Sequence, residues 1–153
     1  MKIESRHSGK DIDTPAVWRI EAWQPVESPS DVSSEPNGLQ VERLARELAR
    51  KVYGLTKKSK FARDFGLKGQ VQDAAGSSMH NIAEGFDSET NPEFVRFLRY
   101  AKRSCTEVQG ELYVALDQQY ITNTEFQDVY NHAGRTFTLL GNSDRACYYS
   151  RFH

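Results

Sequence analysis

From Val41 to Leu140 the apolar residues of this chain recur three and four positions apart, and nowhere in that stretch do they alternate as in a half-buried strand. Such spacing lines side chains up along one stripe of a helix. A chain patterned this way buries its stripes by packing helix on helix.

Four helices can be placed. The first carries Val41, Leu44, Leu48, Val52 and Leu55 and ends near Thr56, where Lys57-Lys-Ser-Lys60 begins a basic connection. The second starts between Phe61 and Leu67 and runs to Glu84, with Gly85 as the expected C-cap because glycine tolerates the left-handed conformation. Its inward positions, Leu67, Val71, Ala74, Ala75, Ser78, Met79 and Ile82, include small residues that let a neighbouring helix come close. Gly76 within it lowers helix propensity by roughly 1 kcal/mol, so this helix depends on packing. The third opens on a capping box, Thr90 with Glu93, and has Pro92 in its first turn. Phe94, Leu98, Ala101, Cys105, Val108, Leu112 and Ala115 continue its stripe until Gln118-Gln-Tyr120 breaks it. A second box, Thr122 with Glu125, starts the fourth helix, with Ile121 and Phe126 placed as a hydrophobic staple. Phe126, Val129, Ala133, Phe137 and Leu140 form its stripe, and Gly141-Asn142 is the expected stop. The fold class that follows is all-α, an antiparallel up-and-down four-helix bundle.

The first 38 residues differ: only 11 are apolar, against 42 of the 104 in 39–142, so the bundle domain is assigned to 39–142. Residues 1–38 are a polar leader whose Pro25 to Gly38 stretch is turn chemistry, expected to be poorly structured. Residues 143–153 have no helical period and are expected to be an irregular tail. No run approaches the roughly 18 to 20 apolar residues of a membrane span, and the N-terminus lacks a signal-peptide core. A cytoplasmic protein with no membrane partner is expected. Cys105 and Cys147 are too few for a disulfide framework or a cysteine metal site.

Catalytic patterns are absent. There is no Glu-x-x-His pair of the di-metal bundle type, no GxSxG, no glycine-rich phosphate loop and no HExxH. The nearest approaches, His80 with Glu84 and Asp128 with His132, share a helix face but lack a matching second pair. Ser77, Ser78 and His80 lack an orienting third group. No enzyme, no catalytic residue, no metal and no cofactor is expected.

Charge is uneven. The total is −1, yet residues 39–70 carry +6, balanced by −3 in 1–38 and −4 in 71–153. The basic groups are Arg43, Arg46, Arg50, Lys51, Lys57, Lys58 and Lys60 on and after the first helix, and Arg96, Arg99 and Arg103 at spacings of three and four on the third. Such clusters neutralise phosphates and bind nucleic acid tolerantly. The plainer alternative is a solvated face with internal pairs, Glu42 to Arg46 and Glu47 to Lys51. Aromatic residues at helical spacing read as core or subunit contacts before base-stacking platforms; Phe97 and Tyr100, off the main stripe, point to a second copy.

Phe65-Gly-Leu-Lys-Gly-Gln-Val71, Ala74-Ala75, Asn81-Ile-Ala-Glu-Gly85 and Glu93-Phe-Val-Arg-Phe-Leu98 together resemble the bacterial four-helix bundle family first noticed in intervening sequences of 23S ribosomal RNA, often labelled S23 ribosomal protein. The resemblance covers about 39–142, with Glu21-Ala-Trp-Gln24 similar to the segment usually found before the first helix. It implies a ring-like homopentamer. A related branch, the accessory variability determinant of diversity-generating retroelements, implies nucleic acid and a reverse transcriptase as partners. The family motif maps onto Asn81, Glu84, Gly85, Glu93, Phe94 and Phe97, for which a structural role is expected, with Asn81 and Glu84 bonding the third helix or a capping backbone. Gln72-Asp73 stands where members commonly carry basic residues, and the stretch 25–38 is usually lacking. Three functional readings follow: an oligomeric bundle binding RNA or DNA through its first and third helices, an adaptor recruiting a protein such as a reverse transcriptase, or an assembly with no ligand beyond itself.

Overall fold

The computed structural model describes the backbone of residues 37–150 and the side chains of residues 40–143. The helices are α1 (Asn37–Leu55), α2 (Ser59–Arg63), α3 (Phe65–Asp87), α4 (Asn91–Asp117) and α5 (Asn123–Ser150), with no strand among the described residues. The four long helices form the bundle. α1 packs on α3 and α5, and α4 packs on the same two, so α1 and α4 face each other across a diagonal. The order of contacts makes neighbours antiparallel: Leu44 and Lys51 of α1 meet His132 and Asp128 of α5, while Ser77 and Gly85 of α3 meet Ser104 and Phe97 of α4.

The expected stripes make the core. Leu48, Ile82, Leu98, Leu112 and Leu140 are fully buried with Val41, Val52, Val71, Val108 and Val129. Each such side chain stabilises the fold by about 2 kcal/mol relative to an exposed one. Both threonines cap their helices, Thr122 with Glu125 as a full capping box. Thr90 Oγ1 accepts from the Glu93 N–H at 3.4 Å, and the Thr122 N–H reaches Glu125 Oε2 at 2.8 Å while the Glu125 N–H returns to Thr122 Oγ1 at 3.2 Å. At the end of α4 the Tyr120 and Gln119 N–H groups bond the carbonyls of Ala115 and Leu116, a Schellman-type stop that holds Gln119 at φ 59°.

Several expectations are corrected. Gly85 does not end its helix: α3 continues to Asp87, and Ser88 caps it. No described glycine has a positive φ, and Gly85 lies buried where its missing Cβ lets α4 come close. Gly141-Asn142 is likewise no stop, because α5 runs to Ser150; the tail is helical that far, and residues 151–153 lie outside the described residues. α1 begins at Asn37, inside the expected turn, because first-turn N–H groups need no intrahelical partner. The rest of the leader, 1–36, also lies outside the described residues. The basic connection holds a helical turn, α2, whose Phe61 is 1% exposed and stacks on Tyr120 at 5.5 Å. In α5, Phe137 is 39% exposed and sits under the Lys102 ammonium at 4.9 Å, while His132 and Thr136 turn inward. Leu44 is half-buried and Ala45 takes the inward place.

Candidate nucleic-acid interface

The helical period that turns Val41, Ala45, Leu48 and Val52 inward puts Arg43, Arg46 and Arg50 on the opposite side of α1. Arg50 is exposed and the other two are half-buried. Tyr53, 49% exposed, falls three residues after Arg50 and seven after Arg46, and Lys57 extends the strip past the helix end. On α4, the inward set Leu98, Ala101, Cys105 and Val108 leaves Arg96, Arg99 and Arg103 exposed on the far side. There the Arg96 guanidinium lies over the Phe97 ring at 5.5 Å, and Phe97 meets Tyr100 edge-on at 6.3 Å, with Tyr100 42% exposed.

These two strips do not merge. Because α1 and α4 are diagonal, their outward faces point in opposite directions. Neighbouring axes about 8–10 Å apart and helix diameters of about 10–12 Å separate the faces by roughly 25 Å.

Two of the candidate lysines are engaged in holding the bundle together. Lys51 Nζ pairs with Asp128 at 2.7 Å, rather than back to Glu47, and Lys58 Nζ pairs with Glu125 at 2.6 Å. The Lys58 ammonium and the Thr122 cap hold the Glu125 carboxyl below its ordinary value. Lys60 is exposed on α2, near Arg63 and Lys68, which sequence reasoning counted in the segment charge without selecting. At this end the exposed Lys57, Lys60 and Arg63 lie on and before α2, and Asp117 and Asp128 are exposed on α4 and α5. The other end, around the α3–α4 connection, exposes Glu84, Asp87, Glu89 and Glu93. Tyr53 was missed outright, although its spacing from Arg46 and Arg50 was the signal for it.

The family-motif residues sit between α3 and α4. Asn81 Nδ2 donates to the carbonyl and hydroxyl of Ser77 in its own helix, at 2.8 and 3.1 Å, and Ser104 of α4 donates to that same hydroxyl at 3.1 Å. Asn81 thus reaches α4 through Ser77, while Glu84 is exposed. A Cβ on Gly85 would lie 3.3 Å from Phe97 Cβ and 3.5 Å from Phe94 Cδ2. Phe94 in turn packs on Phe86, with ring centres 5.4 Å apart.

Neither histidine pair builds a centre. Asp128 is held by Lys51, and His132, 1% exposed, has both ring nitrogens engaged. The Leu44 carbonyl can only accept, so Nε2 carries the proton at 2.8 Å and Nδ1 accepts from Arg135 at 3.2 Å. Burial lowers the pKa of His132; the Leu44 carbonyl and Glu47 oppose that, and the Arg135 and Lys51 charges reinforce it. Among the described residues no three His, Cys, Asp or Glu side chains group to hold a metal. Burial pushes the Cys105 thiol up to about 11, against the bond to Ser78 at 3.4 Å, which leaves almost no thiolate at neutral pH. No helix of the described residues is long and apolar enough to cross a membrane.

The fold is shared with a solved structure, a protein of unknown function of the S23 ribosomal protein family from Bacteroides thetaiotaomicron: the TM-score is 0.67 at 20% identity, covering 72% of this chain and 99% of that one. The family model of the 23S rRNA-intervening sequence proteins matches residues 37–142, so the chain belongs to that family. No curated protein matches it.

Proposed function

We propose that this protein is a non-enzymatic, cytoplasmic bundle that self-associates and binds RNA through the basic faces of α1 and α4. The observation that carries the reading is the gathering of the basic residues into outward strips, Arg43, Arg46 and Arg50 on one helix and Arg96, Arg99 and Arg103 on the other, where they outnumber the neighbouring carboxylates Glu47 and Glu107. Phosphate contacts of this kind release condensed counterions, so affinity follows salt. About five contacts to a single strand give an approximately 100-fold loss between 50 and 200 mM salt. Self-association is supported by exposed apolar side chains, Tyr113, Val114 and Phe137, and by the pentameric ring that the family resemblance implies. A ring would multiply the basic strips and favour long RNA over short.

Gel-shift titration of an unstructured RNA over a salt series tests this. Binding at low salt that weakens steeply, and that Arg46→Glu with Arg50→Glu reduces without lowering the melting temperature, supports it. No shift at low salt rules it out, and light scattering from a stable monomer removes the ring.

A further inference from the structure

The two basic strips lie on opposite sides of one bundle, and each contains a half-exposed tyrosine. We propose that each protomer holds two single-stranded nucleic-acid segments at once, one along Arg46, Arg50 and Tyr53 of α1 and one along Arg96, Arg99, Tyr100 and Arg103 of α4, and so bridges them. This rests on the nucleic-acid reading above and adds the number, placement and strandedness of the bound segments.

The geometry separates the sites. The faces stand roughly 25 Å apart, so one strand must travel around α3 or α5 to touch both. Around α3 it meets the exposed carboxylates Asp73, Glu84 and Asp87, which repel phosphate. Around α5 it crosses the uncharged Gln127, Asn131, Thr138 and Asn142, and the one exposed cation among the described residues of that helix, Arg135, is turned to His132 Nδ1 at 3.2 Å. Two separate segments avoid both routes.

The tyrosines favour unpaired strands. In a duplex the bases are already stacked, and a ring on a convex helix face has none to receive; a single strand offers a base to each ring. On α4 the ring is positioned, because Tyr100 leans edge-on against Phe97, which lies beneath the Arg96 guanidinium. A rise of 1.5 Å per residue spreads Arg96 and Arg103 about 10 Å along the axis, with Tyr100 between them, so phosphates and a base are met in one line.

The test uses the full chain and a short oligouridylate, half of it carrying a donor fluorophore and half an acceptor. The expected result is two oligonucleotides per protomer with energy transfer between the labels. Arg46→Glu with Arg50→Glu, and separately Arg96→Glu with Arg103→Glu, should each leave one oligonucleotide per protomer and weaken the altered face at least about 10-fold. The milder Tyr53→Leu and Tyr100→Leu should each weaken one site about 10-fold, with circular dichroism showing unchanged folding. One oligonucleotide per protomer in the wild type overturns bridging and leaves the nucleic-acid reading standing. So does either double variant that keeps two oligonucleotides per protomer, or that loses all binding while folded. A duplex of equal length competing equally well overturns the single-strand assignment. Dissociation of the assembly by the α4 variant, with binding intact, makes that face a contact between copies and removes the proposal. No binding of any oligonucleotide removes the underlying reading as well.

Discussion

The α3–α4 and α1–α5 interfaces close the same bundle by opposite means. Between α3 and α4 the contacts are short side chains, Ser77, Ser78, Ser104, Cys105 and the bare backbone of Gly85, and the helices approach until Phe97 Cβ nearly fills the glycine's place. Between α1, with the connection that follows it, and α5 the contacts are long or charged, Lys51 to Asp128, Lys58 of the connection to Glu125 and the ring of His132 to the Leu44 carbonyl, and a groove of about 690 Å³ opens over α5 beside Leu44, Tyr130 and Arg135. The first set of contacts is tight at Gly85 and carries no charge. It should therefore respond to shape, and the second to pH and salt.

The largest effect expected is at Gly85. Even an alanine Cβ stands 3.3 Å from Phe97 Cβ, an atom fixed to the α4 backbone, so that neighbour cannot swing aside. Gly85→Val adds that Cβ and two methyl groups and should cost about 3 kcal/mol, far more than the few tenths that valine gains over glycine in helix propensity. A fall of more than about 10 °C in thermal unfolding is the expected reading. A variant melting within a few degrees of wild type would show the interface to be looser than its distances say.

Acid should act on the other interface. His132 is held neutral in the fold, its pKa below the ordinary histidine value, so the unfolded chain takes up a proton first as pH falls. Stability from this residue is complete above about pH 7.5 and declines as pH drops below about 6.5 toward the lowered folded value. Protonation would also put a second N–H against Arg135, which now donates to Nδ1. His132→Leu, similar in volume, should lose about 1 kcal/mol at pH 8 through the missing bonds and flatten the decline between pH 7 and 5. Urea midpoints against pH decide it: parallel curves for the two proteins would acquit the histidine. Glu125, held below the ordinary carboxylate value, acts in a lower window, losing its contribution only as pH falls past about 4.5.

The same contrast explains what could be read from the residues alone. Capping boxes and stripes are local, so Thr90, Thr122 and the α4 core were legible from spacing. Gly85 reads as a helix end because a glycine that ends a helix and one that admits a neighbour look alike in sequence; only the approach of Phe97 distinguishes them. Lys51 and Lys58 counted as phosphate ligands because their partners lie 77 and 67 residues away, beyond any local pattern. The arginine strips were visible as intervals of three and four. Their opposite placement follows from the ring order of the helices, which the up-and-down topology already contains but no interval within one helix reveals.

Gly76 sharpens the contrast from within α3. It is half-buried on the outward side, and nothing lies within 4 Å of where a Cβ would stand. Gly76→Ala should stabilise by about 0.5–1 kcal/mol, since it restricts the unfolded chain and meets no obstacle. A rise of a few degrees in melting temperature is expected. A fall there would mean that the outward side of α3 is covered by another copy of the chain.

The smallest effect isolates the charge between the connection after α1 and α5. Glu125 makes two kinds of contact, the cap with Thr122 and the pair with Lys58, so Glu125→Ala alone should cost about 1 kcal/mol, mostly through the cap. Lys58→Ala combined with it in a double-mutant cycle removes the cap from the comparison and leaves the coupling of the pair. Both side chains are about a third exposed, which places that coupling below about 1 kcal/mol in dilute buffer. At about 1 M salt the Debye length shrinks to about 3 Å and the coupling should fade, while the cost of losing the cap stays. A coupling that survives high salt would mean that the two helices are joined at this end by geometry, as α3 and α4 are, and the distinction between the two interfaces would not hold there.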